Sequence, residues 1–151
     1  MAPTQDIRSK SSLNADVAVS ALEEKEENSD LVRKSKRRAA TKSLCVHLTL
    51  IAKLRSPKSL SKETKLRELY MNLLTHREAE VQRLAMNCLF SYKFPYLEPY
   101  REQFEKLLID ETFREALIHF SIDKENSIVE PAHRENLVPI LIRFVFKLFS
   151  F

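Results

Sequence analysis

The chain contains no glycine in 151 residues. Ordinary usage near 7% would give about ten. The absence excludes every motif that needs a residue free to take φ > 0 or to let a ligand touch the backbone. A GxGxxG turn, a phosphate-cradling P-loop, a GxSxG nucleophile elbow and an EF-hand loop all fall away. Type I′ hairpins lose their preferred residue as well. Cysteine is also scarce. Cys45 and Cys88 are far apart and form no CxxC pair, so neither a disulfide framework nor a structural zinc site is indicated, and a reducing compartment fits. No apolar run near the start has the form of a signal peptide. The most apolar stretch, Leu137 to Phe151, is short and carries Arg143 and Lys147, so it does not read as a membrane span. No cofactor, metal or small-molecule substrate is expected, and no membrane.

What remains is leucine-rich, charged and most simply helical, with turns made by Pro, Ser, Asn and Asp. Charge is unevenly spread. Residues 1–31 carry seven acids against three bases, residues 32–62 carry ten bases and no acid, and residues 63–151 carry fourteen acids against twelve bases. The middle block dominates the electrostatics of the chain. Residues 1–35 are polar and mostly without apolar period, and we read them as a disordered tail, acidic and then basic, in which Leu13, Val17, Ala21 and Leu22 form at most one short helix. The cluster Arg33, Lys34, Lys36, Arg37 and Arg38 is a candidate nuclear-import signal, because dense fixed charge attracts acidic receptors. Its plainer reading is a solvated linker or helix start.

From about Ala39 the apolar period becomes helical. Residues 36–56 are expected to form a basic amphipathic helix with Ala40, Leu44, Cys45, Leu48, Ile51 and Leu54 on its stripe, stopped at Ser56-Pro57. Residues 57–151 read as HEAT-like helical repeats, incomplete at the C-terminal end. Ser61 is the expected cap of a helix to about Leu74, with Leu66, Leu69, Tyr70, Leu73 and Leu74 on one face. After Thr75-His76-Arg77 a second helix starts near Glu78, with Val81, Leu84, Ala85, Cys88 and Leu89 at helical spacing. So short a connection makes the pair an antiparallel hairpin. Pro99 lies in the first turn of a further helix with Tyr100, Phe104, Leu107 and Leu108 inward, and Asp110 is the expected cap of the next, which holds Phe113, Ala116, Leu117 and Phe120. A polar loop, residues 121–130, leads to a last helix opened by Pro131, with Leu137, Ile140, Leu141, Phe144, Val145 and Leu148 inside. That helix is apolar all round, with Phe146, Phe149 and Phe151 on its outer side, as in a solenoid cut open. It leads us to expect a fragment.

The candidate chemistry is thin. Cys45 and His47 are two apart on a helix and face different ways, so they make no local nucleophile–base pair. Cys88 is a small core residue, His119 a helix-end histidine, and His76 and His133 capping or surface groups. Glu102, Glu105, Asp110 and Glu111 are surface or capping charges. Tyr92, Phe94, Tyr96 and Tyr100 can in principle stack on RNA bases, but their spacing favours packing between helices.

The residues also carry a resemblance. Glu80 to Leu89 looks like the second helix of a HEAT repeat. The stretch from about Leu54 to Phe144 resembles a segment of the "down-regulated in metastasis" family, the very large HEAT-repeat scaffolds that form component twenty of the small-subunit processome. The resemblance is carried by Tyr92-Lys93, Pro95, Pro99 to Glu102, Leu107-Leu108, Phe113 to Glu115, His119-Phe120, His133-Arg134 and Pro139 to Arg143. It implies an all-α solenoid fragment that acts as a scaffold in nucleolar pre-rRNA processing, is no enzyme, and has as partners pre-ribosomal proteins together with pre-rRNA or small nucleolar RNA. RNA phosphates would then be held by Arg37, Arg38, Lys42, Lys53, Arg55 and Lys58. The alternative is a nuclear protein-binding αα-repeat module that touches no RNA and uses the basic block only for import.

Overall fold

A computed structural model describes residues 8–120, 125 and 127–149. It has six α-helices among these residues and no strand: α1 (Arg8–Ala52), α2 (Glu63–Leu73), α3 (Ala79–Phe90), α4 (Arg101–Leu107), α5 (Phe113–His119) and α6 (Arg134–Phe149). Single 3-10 turns at Pro57–Ser59, Glu98–Tyr100 and Pro131–His133 each begin at or beside a proline, whose fixed φ suits a first turn. The chain divides into two units, residues 1–42 and residues 43–151.

In the first unit the described backbone is helical from Arg8 onward, although every described side chain from Asn14 to Ala40 is exposed. The expected lack of a packed face holds there, but the backbone is not irregular. The physical reason is composition: between Arg8 and Ala52 there is neither proline nor glycine to break the ladder, and Ala, Leu, Glu, Lys and Arg predominate. Residues 1–7 lie outside the described residues.

In the second unit α3 is the central element. Its predicted stripe of Val81, Leu84, Ala85, Cys88 and Leu89 is buried, and so are Gln82, Met86 and Phe90, leaving Ala79, Glu80, Arg83 and the half-buried Asn87 outward. α2 packs along it through Tyr70 and Leu74. The hairpin is closed by a side chain, since Gln82 Nε2 donates to the Leu74 carbonyl over 3.0 Å and so satisfies one of the open acceptors at the end of α2. Residues 43–52 of α1 lie on α3 as well. Leu48 is buried and Cys88 Sγ donates to its carbonyl over 3.3 Å.

Phe104 on α4 gathers the remaining elements. It is fully buried, with ring centroids 6.3 Å from Phe90, 5.0 Å from Phe120 and 5.9 Å from Phe144. α6 contributes Leu137, Ile140, Leu141 and Phe144 to the core despite an interior Pro139. The expected polar loop is pinned by Val129, 2% exposed, whose N–H is bonded by Ser127 Oγ at 3.0 Å. Ser121 to Lys124 and Asn126 lie outside the described residues.

Several local expectations change. Ser61 does not cap α2: Lys62 precedes the helix in a left-handed conformation, φ 59°, with no side-chain cap bond. Thr112, not Asp110, sits at the start of α5, and its Oγ1 donates to the Lys106 carbonyl over 2.7 Å. Periodicity places Leu69, Ala40 and Leu54 inward, yet all three are exposed: Leu69 and Ala40 lie at the edges of their stripes, and Leu54 lies beyond α1, which ends at Ala52 and not at residue 56. The outer side of the last helix is as expected: Ile142 and Phe146 are about half exposed and Phe149 is 79% exposed. The expected burial of Leu148 and the position of Phe151 fall outside the described side chains.

Candidate nucleic-acid interface

The basic residues singled out by sequence fall in both units. Arg33, Lys34, Lys36, Arg37, Arg38 and Lys42 lie on α1 in the first unit, all exposed. Asp30 takes Arg33 at 3.6 Å, a solvent-screened pair of little energetic weight. Lys53, Arg55 and Lys58 lie in the second unit, also exposed. Lys58 is drawn to an aromatic face, its Nζ 5.7 Å from the Phe94 centroid.

Lys53 and Arg55 open onto a groove of about 960 Å3 within the second unit. One wall is the end of α1 and the turn after it, from Thr49 to Arg55. The floor is α3 and its end, with Arg83 and Asn87 from the outward face, the rim of buried Phe90, and Ser91 just beyond the helix. The far wall is Lys93 together with Glu98 and Arg101 at the start of α4. Sequence reading missed Arg83, Lys93 and Arg101 as members of this surface. They come from a near-neutral region, and only the fold sets them beside Lys53 and Arg55.

The groove's charges are unequal in availability. Both acids are engaged. Arg83 holds Glu80 with Nε and Nη2 together, and this hydrogen bond raises the arginine above its ordinary pKa. Arg101 Nη2 lies 3.5 Å from Glu98, while its guanidinium rests on the Phe90 ring at 4.5 Å. Lys53, Arg55 and Lys93 form no ion pair among the described residues. Lys93 is placed by an unusual backbone. It follows α3 at φ 52°, where its N–H closes the helix end onto the Phe90 carbonyl at 3.0 Å. That conformation is ordinarily glycine's, and this chain has none.

The aromatic run beside it is already used. Tyr92, Phe94 and Tyr96 stack in series, each centroid 5.0 Å from the next and the planes within 13°. Phe94 is thus already stacked with two neighbouring rings and approached by Lys58. Tyr92 is buried, and its hydroxyl is pushed above the ordinary range first by burial and then by the Glu63 carboxylate. Tyr100 is buried too. Its hydroxyl receives the Glu130 N–H at 3.0 Å and lies 2.9 Å from His133 Nδ1. The packing role expected of these residues is the one they have.

The remaining polar side chains are structural in their contacts. His76 Nδ1 accepts the Glu78 N–H at 3.0 Å and serves as the cap at the α2–α3 turn. His119 is exposed at the end of α5, 3.9 Å from Glu115. His47 Nδ1 lies 2.6 Å from the Ser43 carbonyl and does not face Cys45. Cys88 is buried, and burial pushes its thiol up to about 12. Among the described residues no group of three or more His, Cys, Asp or Glu could hold a metal ion, and no helix is long and apolar enough to cross a membrane.

Packed helical pairs with a basic groove along α3 define an all-α repeat-type chain. Residues 38–148 match the family described as U3 small nucleolar RNA-associated protein 20, N-terminal, and the chain belongs to that family. It is 29% identical over 101 residues to U3 small nucleolar RNA-associated protein 20 of Saccharomyces cerevisiae. That stretch is 67% of this chain but 4% of the yeast protein. The family match begins earlier than the resembling stretch from about Leu54 to Phe144 and takes in the basic end of α1. It also runs on past Phe144.

Proposed function

We propose that this chain is a component of the small-subunit processome, with a role in pre-rRNA processing and small-subunit biogenesis in the nucleolus. In this reading it works as a HEAT-type scaffold with no reaction of its own, and its partners are pre-ribosomal proteins together with pre-rRNA or small nucleolar RNA. The observation that carries the reading is the family match across residues 38–148, which spans the hairpins and the basic groove together. The scaffold part is supported by the use of several polar side chains: His76 caps a turn, and Tyr100 with His133 and the buried Cys88 thiol bridge elements. The Arg33 to Arg38 cluster, exposed on one helix, is the import signal.

Crosslinking and co-purification of the tagged chain from nuclear extract tests this. Early pre-ribosomal particles should be recovered with it, and their absence would count against the role. The second reading, a nuclear protein-binding module without RNA contact, is favoured by the occupied aromatic ladder. It predicts that alanine replacement of Arg33, Lys34, Lys36, Arg37 and Arg38 abolishes nuclear entry, and that partner capture in extract survives removal of every RNA.

A further inference from the structure

We propose that the groove along the outer face of α3 takes the phosphate backbone of single-stranded RNA, with Lys53, Arg55 and Lys93 as its phosphate contacts. The choice of RNA over another polyanion rests on the proposed pre-ribosomal role; the site itself rests on geometry. Five cations and two acids line one concave surface; Glu80 lies against Arg83 and Glu98 beside Arg101, which leaves Lys53, Arg55 and Lys93 as its net positive charge. Those two arginines have partners of their own, one a bidentate carboxylate and the other the Phe90 face. At about 960 Å3 the groove accepts a few linked units of an extended chain. A duplex presents a broad convex surface and does not enter such a groove. The neighbouring rings are stacked on one another, so base stacking adds little, and binding is governed by charge and is indifferent to sequence. The groove is separate in residue membership from Arg33 to Arg38, so import and RNA contact are divided between two basic clusters.

The test is salt-dependent binding of the 151-residue chain to an oligouridylate of about twelve nucleotides. Three phosphate contacts on a single strand contribute about 2 to the slope of log affinity against log salt. The triple variant Lys53→Gln, Arg55→Gln, Lys93→Gln should therefore lose about that much slope and bind on the order of 100-fold more weakly at ~0.1 M salt. Lys93→Gly separates binding from folding. Glycine relieves the left-handed backbone, so thermal stability should hold or rise while affinity falls about five-fold at the same salt. Lys65→Gln with Arg114→Gln, both exposed and outside the groove, should leave binding within two-fold of the parent chain's. An unchanged slope in the triple variant overturns the site, as does an equal loss from the Lys65 and Arg114 pair. Equal binding of a duplex overturns the single-strand assignment, and displacement of the RNA by oligoglutamate at equal charge overturns the RNA assignment. If the chain binds no oligouridylate yet co-purifies with pre-ribosomal particles, the groove fails and the processome reading stands. Tight binding without co-purification supports the groove against that reading.

Discussion

Replacing Phe104 by alanine removes the side chain on which three other elements meet. The ring is fully buried, edge-on to Phe90 at 66° and tilted against Phe120 and Phe144 at 54° and 38°, so α3, the end of α5 and α6 all lose a partner at once. Truncating a buried phenylalanine costs about 3–5 kcal/mol. Loss of three ring contacts, each worth about 0.5–1.5 kcal/mol beyond its area, places this site in the upper half of that range. A domain the size of residues 43–151 has roughly 5–16 kcal/mol in total at typical stability per residue. The substitution should therefore remove at least a quarter of the stability and in the weaker case nearly all of it. Urea unfolding followed by far-ultraviolet circular dichroism reads this directly. With a slope near 2 kcal/mol per molar urea, the midpoint should fall by about 2 M. Ile118→Ala is the control: its side chain is 69% exposed, and its effect should stay within about 0.5 kcal/mol. A Phe104→Ala midpoint within about 0.5 M of the parent chain's would refute the claim that this ring joins the helices.

Three further outcomes follow from the buried polar groups. At pH 8 a disulfide thiol reagent should titrate Cys45 alone in the folded chain and both cysteines in denaturant, because burial holds Cys88 protonated up to about 12; two fast thiols in the native chain would contradict this. The same shift makes stability fall in alkali. The fold favours the neutral thiol, so its contribution is complete below the unfolded value of 9.0 and is lost as pH rises toward 12, with Tyr70, raised from 10.0 to about 12, adding to the loss; a flat stability profile from pH 8 to 11 would count against both assignments. Gln82→Glu places an acid where exposure is nil. Its folded pKa should rise, so the variant should be far weaker than the parent at pH 7 and recover at pH 4, where the protonated acid can still donate to the Leu74 carbonyl; an equal deficit at both pH values would argue that Gln82 acts by shape alone.

The helical hairpin was legible because its signal is local. Val81, Leu84, Ala85, Cys88 and Leu89 recur at helical steps, and all five are buried. Burial of Gln82 was not legible, since nothing in the sequence says that its amide will meet the last carbonyls of α2. Periodicity placed Leu69 inward because it counts spacing alone and does not see that a stripe's edge can fall outside the contact. The helical start of α1 at Arg8 was missed for a different reason: pattern reading weighs apolar period, whereas an exposed helix depends on intrinsic propensity and the absence of breakers. The groove was half legible. Lys53 and Arg55 stood out in an acid-free block, but Lys93, Arg83 and Arg101 belong to a near-neutral region, and only tertiary structure gathers them. A signal did exist for Lys93. It lies just beyond a helix end in a chain without glycine, where some residue must take φ > 0.

Gradient sedimentation of the tagged chain in nuclear extract tests the central claim most directly. A scaffold that holds RNA in pre-ribosomal particles should migrate in the heavy fractions and return to the top of the gradient after ribonuclease treatment. A chain that stays at the top with or without ribonuclease would contradict it.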